Sequence, residues 1–173
     1  MYGLLAEQQI DWGKTEIFQV DERVAPDGDA DRNLTHLLES LPEPARERVR
    51  PMPVTEEDLD AAAGRYSTAL PGDLDLAQLG IGPDGHTASL VPDDPVLEVT
   101  DRRVALTVGE YEGRRRMTLT FPELARIRSL FWLVTGEEKR EALGRLLAGD
   151  PTIPAGRVQA RDPIVIADRV AAP

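Results

Sequence analysis

Six short β-like runs alternating with helix-like segments constrain this chain more than any other feature. Residues 16–20, 74–79, 103–108, 117–121, 130–135 and 164–167 are rich in apolar and β-branched side chains and read as strands. Such alternation is the signature of an α/β fold, here expected to be Rossmann-like, with a mainly parallel sheet and flanking helices. Leu34, Leu37, Leu38 and Leu41 recur at helical spacing behind Asp31, a candidate N-cap. A second helix is predicted over 55–70, with Thr55 and Asp58 resembling a capping box. A third begins at Thr135, has Glu138 three residues on, and ends at Gly149-Asp150-Pro151. The proline-rich stretches 41–53 and 91–95 read as connections inside one domain, because the alternation continues across both.

Composition removes several classes of function. A length of 173 residues suits one domain with one substantial core. No apolar run approaches the length of a membrane span, and residues 1–9, read as a short helix-like opening, lack a basic and then apolar leader, so a cytoplasmic location is expected. The absence of cysteine excludes a disulfide, a thiol nucleophile and a cysteine-ligated metal. With only two histidines, a zinc site is not expected either. The net charge of −11 argues against binding to nucleic acid or an anionic membrane, so an anionic small substrate would need a local cationic pocket.

Four segments carry candidate chemistry. The run Gly80-Ile81-Gly82-Pro83-Asp84-Gly85-His86-Thr87-Ala88-Ser89-Leu90 puts one of the two histidines into a glycine-rich turn after a strand. Three glycines permit close backbone approach to a bound molecule, and imidazole moves protons near neutral pH. The same loop also reads as a plain strand-to-helix turn in which His86 helps to cap the next segment. It only partly matches a dinucleotide fingerprint, since a proline-containing loop comes after it, and NAD is not expected. Asp21-Glu22-Arg23 sits at the carboxyl end of the first predicted strand, where ligands of open α/β sheets bind, or forms a solvated turn. Lys139 lies in the first turn of a helix, a place that suits a lysine only when an anion is shared with the helix N-terminus; otherwise it pairs with Glu137, Glu138 or Glu141. Arg114-Arg115-Arg116 is the only dense basic cluster, with Arg116 expected to point inward, whereas His36 reads as a partly buried structural residue.

Taken in order, these segments resemble the 6-phosphogluconolactonase family, in the superfamily of the glucosamine-6-phosphate deaminases. The Asp11-Trp12 pair, Asp21-Glu22-Arg23-Val24-Ala25-Pro26 with Arg32-Asn33, the loop 80–92, Arg116-Met117-Thr118-Leu119-Thr120 and Thr135-Gly136-Glu137-Glu138-Lys139 carry the resemblance across essentially the whole chain. Deaminases have Asp-Glu-Tyr where this chain has Asp21-Glu22-Arg23, and continue the histidine loop with a Phe-Asn-Glu-Pro type segment that is missing here. The resemblance therefore implies hydrolysis of a phosphorylated sugar lactone, 6-phospho-D-glucono-1,5-lactone, without metal or cofactor. His86 is implied as the base, Asp84 or Asp21 as its orienting carboxylate, amides around Gly82 and Gly85 as oxyanion donors, and Arg23, Arg116 and Lys139 as phosphate ligands. The family's first strand and its Ser-Gly-Gly-Ser-Thr-Pro-like phosphate loop have no counterpart here, so residues 1–173 are expected to form one domain lacking that segment. A non-catalytic sugar-phosphate-binding or interaction homologue and a deaminase-like isomerase stand as alternatives. A monomer is expected, with a sheet edge open to association.

Overall fold

A computed structural model of the protein describes residues 8–160 and 162–173, so most of the helix-like opening read over 1–9 lies outside the described residues. After a 3₁₀ turn at Trp12–Lys14 the chain forms β1 (Ile17–Phe18), β2 (Asp21–Arg23), α1 (Asn33–Ser40), α2 (Glu43–Arg46) and β3 (Val49–Arg50). It continues through α3 (Leu59–Ala69), β4 (Leu76–Leu79), β5 (Val104–Leu106), β6 (Arg116–Leu119) and α4 (Phe121–Leu124). β7 (Ser129–Val134), α5 (Arg140–Leu147) and β8 (Ile164–Ala167) complete it. This is the expected α/β architecture, with parallel sheets in the order β4-β7-β8 and β1-β3, and one antiparallel sheet in the order β2-β6-β5.

β7 runs through the middle of the larger parallel sheet, and its alternation buries Leu130, Trp132 and Val134. These join Leu79 of β4, Leu143 of α5, and Met117 and Leu119 of β6 in one core that spans the parallel and antiparallel sheets. A smaller cluster of Leu41, Ala45 and Val49 packs beneath α1.

The predicted first strand, 16–20, is shortened to β1 and gives way to a corner at Gln19. Buried Gln19 donates through Nε2 to Glu22 (2.9 Å) and accepts through Oε1 from the Met52 amide (2.9 Å), and the chain changes sheets there. Asp21–Arg23 is consequently a strand and not a strand end, pairing antiparallel with Arg116–Thr118. The 41–53 connection likewise contains α2 and β3.

Helix starts differ from expectation for a common reason, which is that the orphan amides find their acceptors elsewhere. At α1 the carboxylate of buried Glu22 accepts from the Asn33 and Leu34 amides (2.7 and 2.9 Å) and lies 3.0 Å from Arg32, while Asp31 instead meets Arg114 at 3.0 Å. α3 is capped by Asp58, which accepts from the Ala61 amide at 2.9 Å, so the helix begins beyond Thr55. Thr135 caps nothing: Gly136, at φ 100°, turns the chain into a 3₁₀ segment, Glu137–Lys139, before α5, and its amide bonds Asp168 at 3.1 Å. The predicted strand 117–121 ends early because Phe121-Pro122 opens α4, with proline in its first turn.

Candidate active site

Parallel strands aim their carboxyl ends in one direction, and the loops leaving them share a rim. The loop 80–90 leaves β4, the segment 135–139 leaves the adjacent β7, and together they bring His86 and Lys139 to one groove of about 1130 Å³. Asp21 and Arg23 of β2 and Arg116 of β6 line the same groove. Register explains their clustering: Arg23 lies directly opposite Arg116 and Asp21 opposite Thr118, so all four share a face, while Glu22 faces α1. Two arginines paired across a ladder repel one another unless an anion lies between them. Here that anion is Glu112, 2.7 Å from Arg116 and 3.6 Å from Arg23. Arg116 is buried as expected, and Arg23 also donates to Asn33 Oδ1 at 2.9 Å. Among the described residues Lys139 forms no ion pair, so pairing with its glutamate neighbours is not its fate.

His86 is held by its own loop. Asp84 Oδ1 accepts from the His86 backbone amide (3.1 Å) and lies 2.7 Å from Nδ1. An ionised carboxylate only accepts, so Nδ1 carries the proton and Nε2 the basic lone pair. Burial pushes the Asp84 carboxyl up, but the amide and ring bonds from His86, the imidazolium charge and the Tyr111 hydroxyl outweigh it and leave Asp84 below the usual carboxylate range. Of the two carboxylates proposed to orient the imidazole, Asp84 is the one that touches it. Asp21 instead accepts from the Ser89 hydroxyl at 2.7 Å, and the Ser89 amide donates to Thr118 Oγ1 at 3.2 Å, which latches the histidine loop onto the antiparallel sheet. Burial dominates Asp21 and raises its carboxyl above the ordinary value, against the lowering effects of Ser89 and Arg116.

The glycines serve a different purpose from the one expected. The Gly82 amide donates to His86 O (2.9 Å) and the Gly85 amide to Gly82 O (3.0 Å), so both close the turn and neither is free for an oxyanion. Gly82 makes room for the imidazole: a Cβ there would lie 2.0 Å from His86 Nδ1. Gly85, at φ 84°, lies away from the groove lining and packs on Ile153. His36 is exposed, and its Nε2 bonds Ala30 O at 2.8 Å, so it is not the half-buried residue expected.

Sequence reasoning missed Ser89, Glu112 and Tyr111, whose hydroxyl lies 3.0 Å from Asp84 Oδ2. The available signal was the hairpin implied by strands 103–108 and 117–121, which puts Tyr111 and Glu112 at its tip; nothing local showed where that tip would fold.

The family described as glucosamine-6-phosphate isomerases/6-phosphogluconolactonase matches residues 1–166. The 6-phosphogluconolactonase of Mycobacterium tuberculosis is 39% identical over 186 residues, covering 95% of this chain and 75% of the relative. That of Synechocystis is 36% identical over 183 residues, with the same shares covered. The crystal structure of 6-phosphogluconolactonase from Thermotoga maritima superposes with a TM-score of 0.83 at 29% identity, covering 96% of this chain and 78% of that one. With the histidine loop, the arginine pair and the lysine turn all on one groove, the chain belongs to the glucosamine-6-phosphate isomerase/6-phosphogluconolactonase family.

Proposed function

We propose that this protein hydrolyses 6-phospho-D-glucono-1,5-lactone to 6-phospho-D-gluconate. The observation that carries this reading is the His86–Asp84 pair opening on the same groove as three cations, Arg23, Arg116 and Lys139. A lactone is an activated ester, and its opening needs a positioned water, a base and an anchor for the rest of the substrate. His86 Nε2 takes a proton from water as the water oxygen bonds the lactone carbonyl carbon. The tetrahedral intermediate collapses with cleavage of the bond to the ring oxygen, which receives the proton back from the imidazolium and becomes a hydroxyl. The acid formed ionises and releases one proton. Asp84 holds the ring in the Nδ1–H tautomer and stabilises its charged form, while the guanidinium pair and Lys139 bind the phosphate. Phosphate can compete with the Glu112 carboxylate for the two arginines, because the Glu112 side chain is largely exposed. The departures from the deaminase pattern at Arg23 and over Ala88-Ser89-Leu90-Val91-Pro92 favour the lactonase over the isomerase.

Proton release from freshly prepared lactone, measured in a pH-stat and corrected for spontaneous hydrolysis, tests the reading. His86→Gln is expected to lower kcat by a factor on the order of 100, within the range for loss of a general base. Enzyme-independent hydrolysis, or an unimpaired His86→Gln variant, refutes it.

A further inference from the structure

We propose that Tyr111 is a positioning residue for the reaction, with its hydroxyl completing the hydrogen bonding of Asp84 and thereby fixing the imidazole of His86. This rests on the lactonase reading of the same site. The hydroxyl lies 3.0 Å from Asp84 Oδ2 and 3.2 Å from His86 Nδ1. It has one proton to give. Nδ1 spends its own hydrogen on Asp84 Oδ1, so the tyrosine proton goes to Oδ2. Each oxygen of Asp84 then has a donor, and the carboxylate can no longer rotate away from the ring. Burial, with the Asp84 bond next, raises the phenol to about 12, which keeps it a donor throughout the neutral range.

The hairpin tip is built to hold this ring. Tyr111 and Arg114 exchange backbone bonds around Glu112 and Gly113, at φ 53° and 76°, which is the two-residue turn with both central residues left-handed. Glutamate is an unfavourable choice for such a position. It is held there by the contact between its carboxylate and Arg116. Arg116 also donates from Nε and Nη2 to the Tyr111 carbonyl (3.3 and 3.2 Å) and lies 4.9 Å from the Tyr111 ring centroid. The ring meets the imidazole edge-on, with centroids 5.0 Å apart. The tyrosine thus connects the cationic end of the groove to its proton-transfer end.

Tyr111→Phe keeps the ring and these packing contacts and removes only the hydroxyl. Its kcat is expected to fall by about tenfold, the order of one hydrogen bond to a charged group, with KM within about twofold. Without that donor Asp84 bears more charge and stabilises the imidazolium further. The acid limb of the kcat/KM profile is therefore expected to move up by about half a pH unit. In an Asp84→Asn background the same substitution is expected to cost nothing more. Imidazole nitrogen NMR of the full chain reads the same contact without turnover: the Nδ1–H tautomer dominates in the wild type and mixes with the other in Tyr111→Phe. An unmoved acid limb with less than twofold loss of kcat, losses that multiply with those of Asp84→Asn, or an unchanged nitrogen spectrum overturns the proposal. Should the chain hydrolyse no lactone, the nitrogen spectrum still decides the role of Tyr111, so the two readings fail separately.

Discussion

A single methyl group at residue 82 should disable the proposed chemistry while leaving the fold intact. The Cβ of Gly82→Ala would lie 2.0 Å from His86 Nδ1, 2.2 Å from its Cε1 and 2.6 Å from Asp84 Oδ1. Ordinary contact begins near 3.4 Å, so the imidazole must retreat by about 1.4 Å, and Asp84 must give way at the same time. A displacement of that size breaks the 2.7 Å bond between them. Misplacement of a reacting group by about 1 Å costs on the order of 100-fold in rate. The backbone tolerates alanine, because Gly82 does not occupy the left-handed region. Its amide bond to His86 O also survives the substitution. Loss of one partly exposed hydrogen bond amounts to about 1 kcal/mol, a Tm decrease of about 2 to 4 °C for a chain of this size. Proton release from fresh lactone and a melt monitored by circular dichroism measure the two quantities on one sample. The expected result is a kcat about one hundredth of wild type, with KM almost unchanged and Tm lower by about 2 to 4 °C. A folded Gly82→Ala protein retaining more than half of the wild-type kcat would refute the reasoning, since it would mean that the imidazole does not work from the position in which Gly82 accommodates it.

Two further substitutions probe the rest of the groove. Lys139→Met is expected to raise KM for the lactone about tenfold with kcat within about twofold, and to weaken competition by inorganic phosphate in parallel, as loss of one charged anchor predicts; steady-state kinetics with and without phosphate decide it, and an unchanged KM removes Lys139 from the phosphate site. Ser89→Ala tests the latch between the sheets through its pH dependence. Burial raises Asp21 in the folded state above its ordinary value of 3.8, so its protonated form favours folding below that value, and this contribution is lost as pH rises through the raised one. The Ser89 hydroxyl moderates the loss by bonding the ionised carboxylate, and its removal should cost about 1 kcal/mol at a pH below 3.8 and about 2 kcal/mol at a pH above the raised value, in urea denaturation. Equal losses at the two pH values would show that Asp21 is not the group being relieved.

The strands of the larger parallel sheet were legible because β4, β7 and β8 are apolar runs; β4 and β7 bury alternate residues, while β8 is an apolar but largely exposed run. β3 and α2 were concealed, since two and four residues between prolines carry no periodicity. Helix starts were misread wherever the cap came from outside the local sequence, as when Glu22 of β2 serves α1. At the site, Asp84 and His86 were readable because they are two residues apart in one turn, and Arg23, Arg116 and Lys139 because the first two are terminal strand residues and the third lies in the segment that follows a strand. Ser89 and Tyr111 act across 68 and 27 residues. Contacts of that separation are fixed by how the sheets dock, and no local pattern encodes them.

The Ser89 latch also bears on which substrates fit. His86 and Lys139 lie on loops of the parallel sheet and the arginine pair on the antiparallel one, so under the proposed reaction the span from reacting carbonyl to the arginine-held side of the phosphate crosses the joint between two sheets. A phosphorylated lactone shorter by one carbon would set its carbonyl short of the base by about one bond length, an error large enough to cost orders of magnitude in rate. Under that reading, discrimination by chain length depends in part on a buried hydroxyl and its carboxylate, which themselves need touch neither end of the molecule being measured.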